Sequence, residues 1–154
     1  MDRLAGEVTF GLNRLFLMGL SWDPTWWVLA DVKHDDGWPW KELLKRKSQF
    51  LVREDVKDYV EPHKSRENIT YFARCAEHGP QQPEAWHLPT PCHWGGGISI
   101  ALQAAVLCGH NPVFLVGADL YKFRGPEDAD INHFDPNYAA FRANHTQEDW
   151  DRTN

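Results

Sequence analysis

Apolar residues in this chain fall into short runs separated by polar turns, and the runs alternate between two periods. Glu7 to Asn13 (EVTFGLN), Thr25 to Ala30 (TWWVLA), Gln49 to Arg53 (QFLVR) and Ile69 to Ala73 (ITYFA) are brief and rich in β-branched and aromatic residues. Such runs read as strands. Between them, Leu15 to Leu20 reads as a short helical turn and Glu54 to Val60 as another. Trp38 to Lys47 reads as an amphipathic helix, with Pro39 tolerated in its first turn. Asp23-Pro24 and Asp35-Asp36-Gly37 punctuate the pattern, the second offering a helix N-cap. Pro62 to Glu67 is a polar loop. Arg74 to Pro91 contains Pro80, Pro83, Pro89 and Pro91, so irregular structure is expected there, with a brief extended piece at Trp86 to Leu88.

The most informative stretch is Pro89 to Asp119. Gly95, Gly96 and Gly97 precede Ile98 to Cys108, which is apolar on nearly every face and predicts a helix covered on most sides. Gly109 stands where a helix C′ glycine belongs. Pro112 can open a strand, and Val113 to Ala118 is a continuous apolar run, as expected for a strand buried in a parallel sheet. Asp119 is the first charge beyond it. Leu120 to Pro136 then reads as a long loop, Asn137 to Ala143 as a helical turn, and Thr146 as the cap of a last helix.

Strands alternating with helices predict one α/β domain over residues 1–154: a Rossmann-like, mostly parallel sheet flanked by helices and joined by right-handed crossovers. Three strand ends carry polar groups, Asn13, Asp31 and Asp119. In a parallel sheet those ends share one edge, where open α/β sheets bind ligands. The glycine run would place a helix N-terminus beside them, with its unpaired N–H groups and roughly +0.5 of an elementary charge. That convergence predicts a nucleotide or phosphate site. Its ligands would be Gly95, Gly96, Gly97 and Ser99 at the helix start, with Asn13, Asp31 and Asp119 at the strand ends.

Composition trims the alternatives. The net charge of −6 argues against a nucleic-acid surface, which needs clustered Lys and Arg. The one basic cluster, Lys41 to Lys47, is interleaved with Leu43 and Leu44 and reads as the solvated face of a helix. Three scattered cysteines make no disulfide framework, and a reducing, cytoplasmic setting follows as the default. No apolar run approaches the ~20 residues that span a bilayer, and the N-terminus lacks a signal-peptide core. Cys75, His78, Cys92 and His93 supply four zinc-type side chains, but their spacing matches no common structural zinc pattern, so no metal site is expected. Of the eight tryptophans most read as core. Trp94, next to the glycines, could stack on a base or sugar.

The run GGGISIALQAAVLCGHNPVFLVGADLY, followed by HFDPNY, resembles a superfamily with two relevant branches. One comprises bacterial sialyltransferases that use a CMP-activated sugar. The other comprises archaeal 6-hydroxymethylpterin diphosphokinase-like proteins, with uncharacterised glycosyltransferase-associated and phage-encoded relatives. The matching features are the glycine-rich turn Gly95–Ser99, Ala101-Leu102-Gln103 in the helix, and Gly109 with Val113–Asp119. Tyr121 and the His133-Phe134 pair complete the pattern. VTFGLNRLFL with WWVLADVKH resembles the family's second and third strands, whose ends carry an Asn and an Asn or Asp near the nucleotide. The chain lacks the family's first strand with its G-x-G-P-S-L-type loop, and it ends before a further helix and strand. A domain incomplete relative to the family is therefore expected.

The resemblance implies a transferase that moves a glycosyl group from a nucleotide-activated donor, such as a CMP-sugar, to a hydroxyl acceptor. It casts His133 as general base, whose titration near neutrality suits that task. It casts Tyr121 as the hydrogen-bonding aid to departure of the nucleotide. No cofactor is required for glycosyl transfer in that branch. Two alternatives stay open. One is an ATP- and Mg²⁺-dependent diphosphokinase-like enzyme, with Asp119 or Asp31 on the metal. The other is a non-catalytic binding or assembly module, including a homo-oligomer through the exposed edge beside Glu7–Asn13.

Overall fold

A computed structural model describes residues 2–32, 38–64, 67–73 and 96–117. The chain divides into two units, Met1–Val113 and Phe114–Asn154. The first contains all the regular structure described here.

Four strands form one parallel sheet: β1 (Phe10–Leu12), β2 (Trp26–Leu29), β3 (Gln49–Arg53) and β4 (Ile69–Phe72), in the order β1-β2-β3-β4. Phe10 pairs with Trp26, Trp27 with Phe50, and Phe50 with Ile69. The two central strands are buried along almost their whole length, which is why their sequences are unbroken apolar runs rather than alternating ones. Successive side chains of a strand point to opposite faces. Trp27, Leu29, Phe50 and Val52 therefore pack on one side with Val32, Trp38, Leu43, Leu44, Val56 and Val60. Val28, Ala30, Leu51 and Phe72 pack on the other with Ile100, Ala101 and Ala104. The first face is covered by α1 (Trp40–Leu43) and α2 (Lys57–Val60), and the second by α3 (Gly97–Leu107), which lies over β1 and β2. The fold is thus mixed α/β, with helices on both faces of a parallel sheet.

All four predicted strands of the first unit form: β3 with its predicted bounds, β2 and β4 slightly shortened, and β1 cut from seven residues to three. Gly11 is packed so closely that an added Cβ would lie 2.6 Å from Leu15 Cδ2 and 2.9 Å from Pro24 Cγ. Only a residue without a side chain fits β1 there. Leu15 to Leu20 falls on a short tight-helical stretch, Asn13–Met18, that is kinked at Arg14, and Glu54 to Val60 forms one helical turn running into α2.

Three expectations need correction. The Trp38 to Lys47 helix shrinks to one turn, Trp40–Leu43. The cause is a remote carboxylate. Asp23 accepts hydrogen bonds from Arg46 Nη1 and the Lys47 amide, both at 2.9 Å, and Ser48 Oγ donates to the Pro24 carbonyl at 2.6 Å. These ties draw residues 46–48 out of helical geometry and into β3. Second, α3 is covered through residues 97–105, none of which is exposed, but its C-terminal end is open, with Val106 49% and Leu107 44% exposed. Third, residues 113–117 form no strand. A strand exists only through backbone pairing with a neighbour, and an apolar run does not supply that neighbour itself.

The end of α3 matches its sequence in detail. Gly109 adopts φ +81°, its amide donates to the Val106 carbonyl at 2.9 Å, and the His110 amide donates to Ala105 at 3.0 Å. This is the paired bonding of a Schellman cap. No helix among the described residues is long and apolar enough to cross a membrane.

Candidate functional site at the carboxyl edge of the sheet

β1 ends at Leu12, and the next residue turns sharply: Asn13 takes φ +43°, a left-handed conformation that Asn tolerates better than most residues. The turn aims its side chain at the end of β2. Asn13 Oδ1 accepts from the amides of Ala30 at 3.1 Å and Asp31 at 3.2 Å. Asn13 Nδ2 donates to Asp31 Oδ2 at 2.8 Å. The Asn13 carbonyl accepts from Trp27 Nε1 at 2.9 Å, which anchors the turn to the core. Asn13 and Asp31 thus form one hydrogen-bonded unit across the ends of neighbouring strands.

The start of α3 closes against that unit. A Cβ on Gly97 would lie 3.3 Å from Asn13 Nδ2, 3.5 Å from Ala30 Cβ and 3.7 Å from Asp31 Oδ2. The absence of a side chain at Gly97 therefore serves close packing of the helix start on the Asn13–Asp31 pair. The Asp31 carboxylate also lies beside the positive end of the helix dipole, a favourable arrangement. Gly96 has φ +125° and ψ −179°, a region open essentially to glycine alone, and no atom of the described residues lies within 4 Å on its Cβ side. Ser99 Oγ donates to the Gly96 carbonyl at 2.8 Å, so its hydroxyl closes the first turn. Gln103, fully buried, donates from Nε2 to the Ser99 carbonyl at 3.0 Å and stiffens that turn from below.

One participant was not singled out from the sequence. Arg53, the last residue of β3, donates from Nη1 to the Ala30 carbonyl at 3.0 Å and from Nη2 to the Val32 carbonyl at 2.8 Å. Its Nε is paired with Asp55. Arg53, Glu54, Asp55 and Ala73 line an open depression of about 270 Å³ at the carboxyl ends of β3 and β4. The signal that could have found Arg53 is the one that marked Asp31: a charge where an apolar strand run stops.

The structure therefore brings together Asn13, Asp31, Gly96, Gly97 and Ser99, all within the first unit, from three separate segments of the chain. Gly95, Asp119, Tyr121 and His133 lie outside the described residues, as do Trp94 and the four zinc-type side chains Cys75, His78, Cys92 and His93. Cys108 is a free, exposed thiol. Among the described residues no three His, Cys, Asp or Glu side chains converge as metal ligands.

Comparison of the chain with protein-family models, with curated proteins and with solved structures returned no match. The resemblance to the sialyltransferase and diphosphokinase superfamily thus rests on the sequence motifs alone.

Proposed function

We propose that the chain is a transferase acting on a nucleotide-activated donor, built on a Rossmann-like fold and most similar in chemistry to CMP-sugar-dependent glycosyl transfer. The observation that supports this reading is the Asn13–Asp31 pair held against Gly97 at the carboxyl edge of a parallel sheet. The bonding pattern divides the proposed nucleotide between two places. Asp31 already supplies negative charge beside Gly97, so its carboxylate suits hydrogen-bond donors, the hydroxyls of a ribose or the amine of a base. Phosphate suits the open backbone at Gly96. Gly95 and Asp119 complete the proposed nucleotide ligands by resemblance.

In the proposed reaction the acceptor oxygen forms a new bond to the anomeric carbon as the bond from that carbon to the nucleotide phosphate breaks. His133 takes the acceptor's proton, and Tyr121 donates a hydrogen bond to the departing phosphate. The nucleotide keeps the bonding electron pair.

Thermal unfolding with CMP, and separately with ATP and Mg²⁺, tests the reading. A ligand that binds only the folded chain stabilises it by RT ln(1 + [L]/Kd), about 2.7 kcal/mol at 100 times Kd. A rise with CMP alone supports the glycosyl-transfer reading. A rise with ATP and Mg²⁺ alone transfers the proposal to the diphosphokinase branch, with Asp31 or Asp119 on the metal. No response to either at millimolar concentration removes the enzyme reading and favours the assembly module.

A further inference from the structure

We infer that Arg53 is a positioning residue of this site, an inference that rests on the nucleotide reading and adds a third strand to it. The backbone of residues 30–32 lies just past the end of β2. There it is held by side chains from the neighbouring strands. From the β1 side, Asn13 accepts the amides of Ala30 and Asp31. From the β3 side, Arg53 donates to the carbonyls of Ala30 and Val32, the two that flank Asp31. One planar guanidinium reaches carbonyls two residues apart because its Nη1 and Nη2 are fixed in a fork. A lysine ammonium, a point donor on a flexible stem, does not span both in a fixed geometry. The ion pair from Asp55 to Nε fixes the plane of the fork. The Arg53 side chain is only 13% exposed, so these bonds are shielded from competing water.

The outcome is that Asp31 has little freedom. Its carboxylate is set against Gly97 by Asn13, and its flanking peptide groups are set by Arg53. A ligand group that bonds to Asp31 meets a carboxylate already in place, which spares the cost of ordering it. Arg53 need not touch the ligand to matter to it.

The test compares wild type with Arg53→Lys and with Val60→Ala. Val60 is buried among the core residues on the opposite face of the sheet from α3, so its truncation lowers stability without touching the site. Two quantities are measured for each: the dissociation constant for CMP and for ATP with Mg²⁺ by calorimetry, and the amide hydrogen-exchange rates of residues 30–32. Arg53→Lys is expected to weaken nucleotide binding by roughly tenfold or more, in keeping with the ~100-fold cost that misplacement by about 1 Å can carry. It is also expected to speed exchange at Asp31 relative to Val28. Val60→Ala, at comparable loss of stability, is expected to bind as wild type does.

Equal affinity in Arg53→Lys and wild type overturns the inference. So does a loss of affinity in both variants in proportion to stability, since that is a purely structural effect. If wild type binds neither nucleotide, the nucleotide reading fails, and exchange alone decides Arg53. Selective acceleration at Asp31 then still supports a positioning arm, and unchanged rates overturn it.

Discussion

Asn13 holds a left-handed backbone and three side-chain hydrogen bonds at once, and the two contributions can be separated by substitution. Asn13→Gly removes the bonds but relieves the backbone. It is expected to cost about 1–3 kcal/mol, the price of leaving partly buried amides without an acceptor. Asn13→Ala removes the bonds and adds the penalty of φ > 0 for a residue with a Cβ, a further ~1–2 kcal/mol. Urea denaturation of both variants measures the difference, and equal losses would show that the turn carries no strain. Tyr71 offers a residue-scale test of a different kind. Burial, and after it the nearby Glu61, raise its phenol well above the usual tyrosine range. A group raised on folding stabilises fully below its unfolded value, near 10, and loses that contribution as pH climbs toward the folded value. Between pH 9 and 11.5 the wild type is therefore expected to lose stability relative to Tyr71→Phe. Below pH 9 the gap between the two should stay constant. A gap that does not change with pH would mean the phenol titrates normally. Asn13 and Asp31 were legible in the sequence because each is the first polar group after a strand. Arg53 obeys the same rule. Its importance lies in which carbonyls it reaches, and those belong to another strand.

At the scale of the element, the adjacent glycines Gly96 and Gly97 have different reasons to be glycine. Gly96 has a backbone conformation closed to L side chains, with no described residue within 4 Å of its Cβ side. Gly97 has ordinary helical backbone but a neighbour at 3.3 Å. Gly96→Ala is expected to lower stability by about 1–3 kcal/mol through strain alone. Gly97→Ala is expected to cost less, because Asn13 Nδ2 can yield by a few tenths of an ångström, but to shift the Asp31 amide resonance and weaken nucleotide binding. Stability and NMR measurements on the two variants separate these causes. Should Gly97→Ala leave the Asp31 signal unmoved, the close approach of α3 to the pair is wrong. The sequence announced α3 well, because its stop signal is local: Gly109 acts on bonds made within four residues of itself. It announced α1 poorly, because the pull that ends it comes from Asp23, far back in the chain. Residues 113–117 show the same limit. Their apolar run reports suitability for a buried strand, while forming one depends on a pairing partner that no local pattern encodes.

At the scale of the whole first unit, the parallel arrangement is what made the site foreseeable. Once β1 and β2 run the same way, the residues just past their ends must be neighbours, although Asn13 and Asp31 are 18 positions apart. The same topology ranks the strands by protection. β2 and β3 are paired on both sides and buried on both faces, whereas β1 pairs only with β2, and β4 only with β3, among the described residues. Opening a central strand requires breaking two ladders and exposing Trp27, Phe50 and their neighbours. Releasing an edge strand breaks one ladder and exposes less apolar surface. Native-state hydrogen exchange is therefore expected to find its slowest amides in residues 27–29 and 50–52, with residues 10–12 faster. The comparison is most telling for β1. It is three residues long, and Thr9 and Thr25 exchange side-chain hydrogen bonds with each other's amides at its entry. If β1 nonetheless exchanges as slowly as β2, its outer edge is covered by another strand. The four-stranded sheet would then be part of a larger one, with the Asn13–Asp31 pair nearer its centre than its rim.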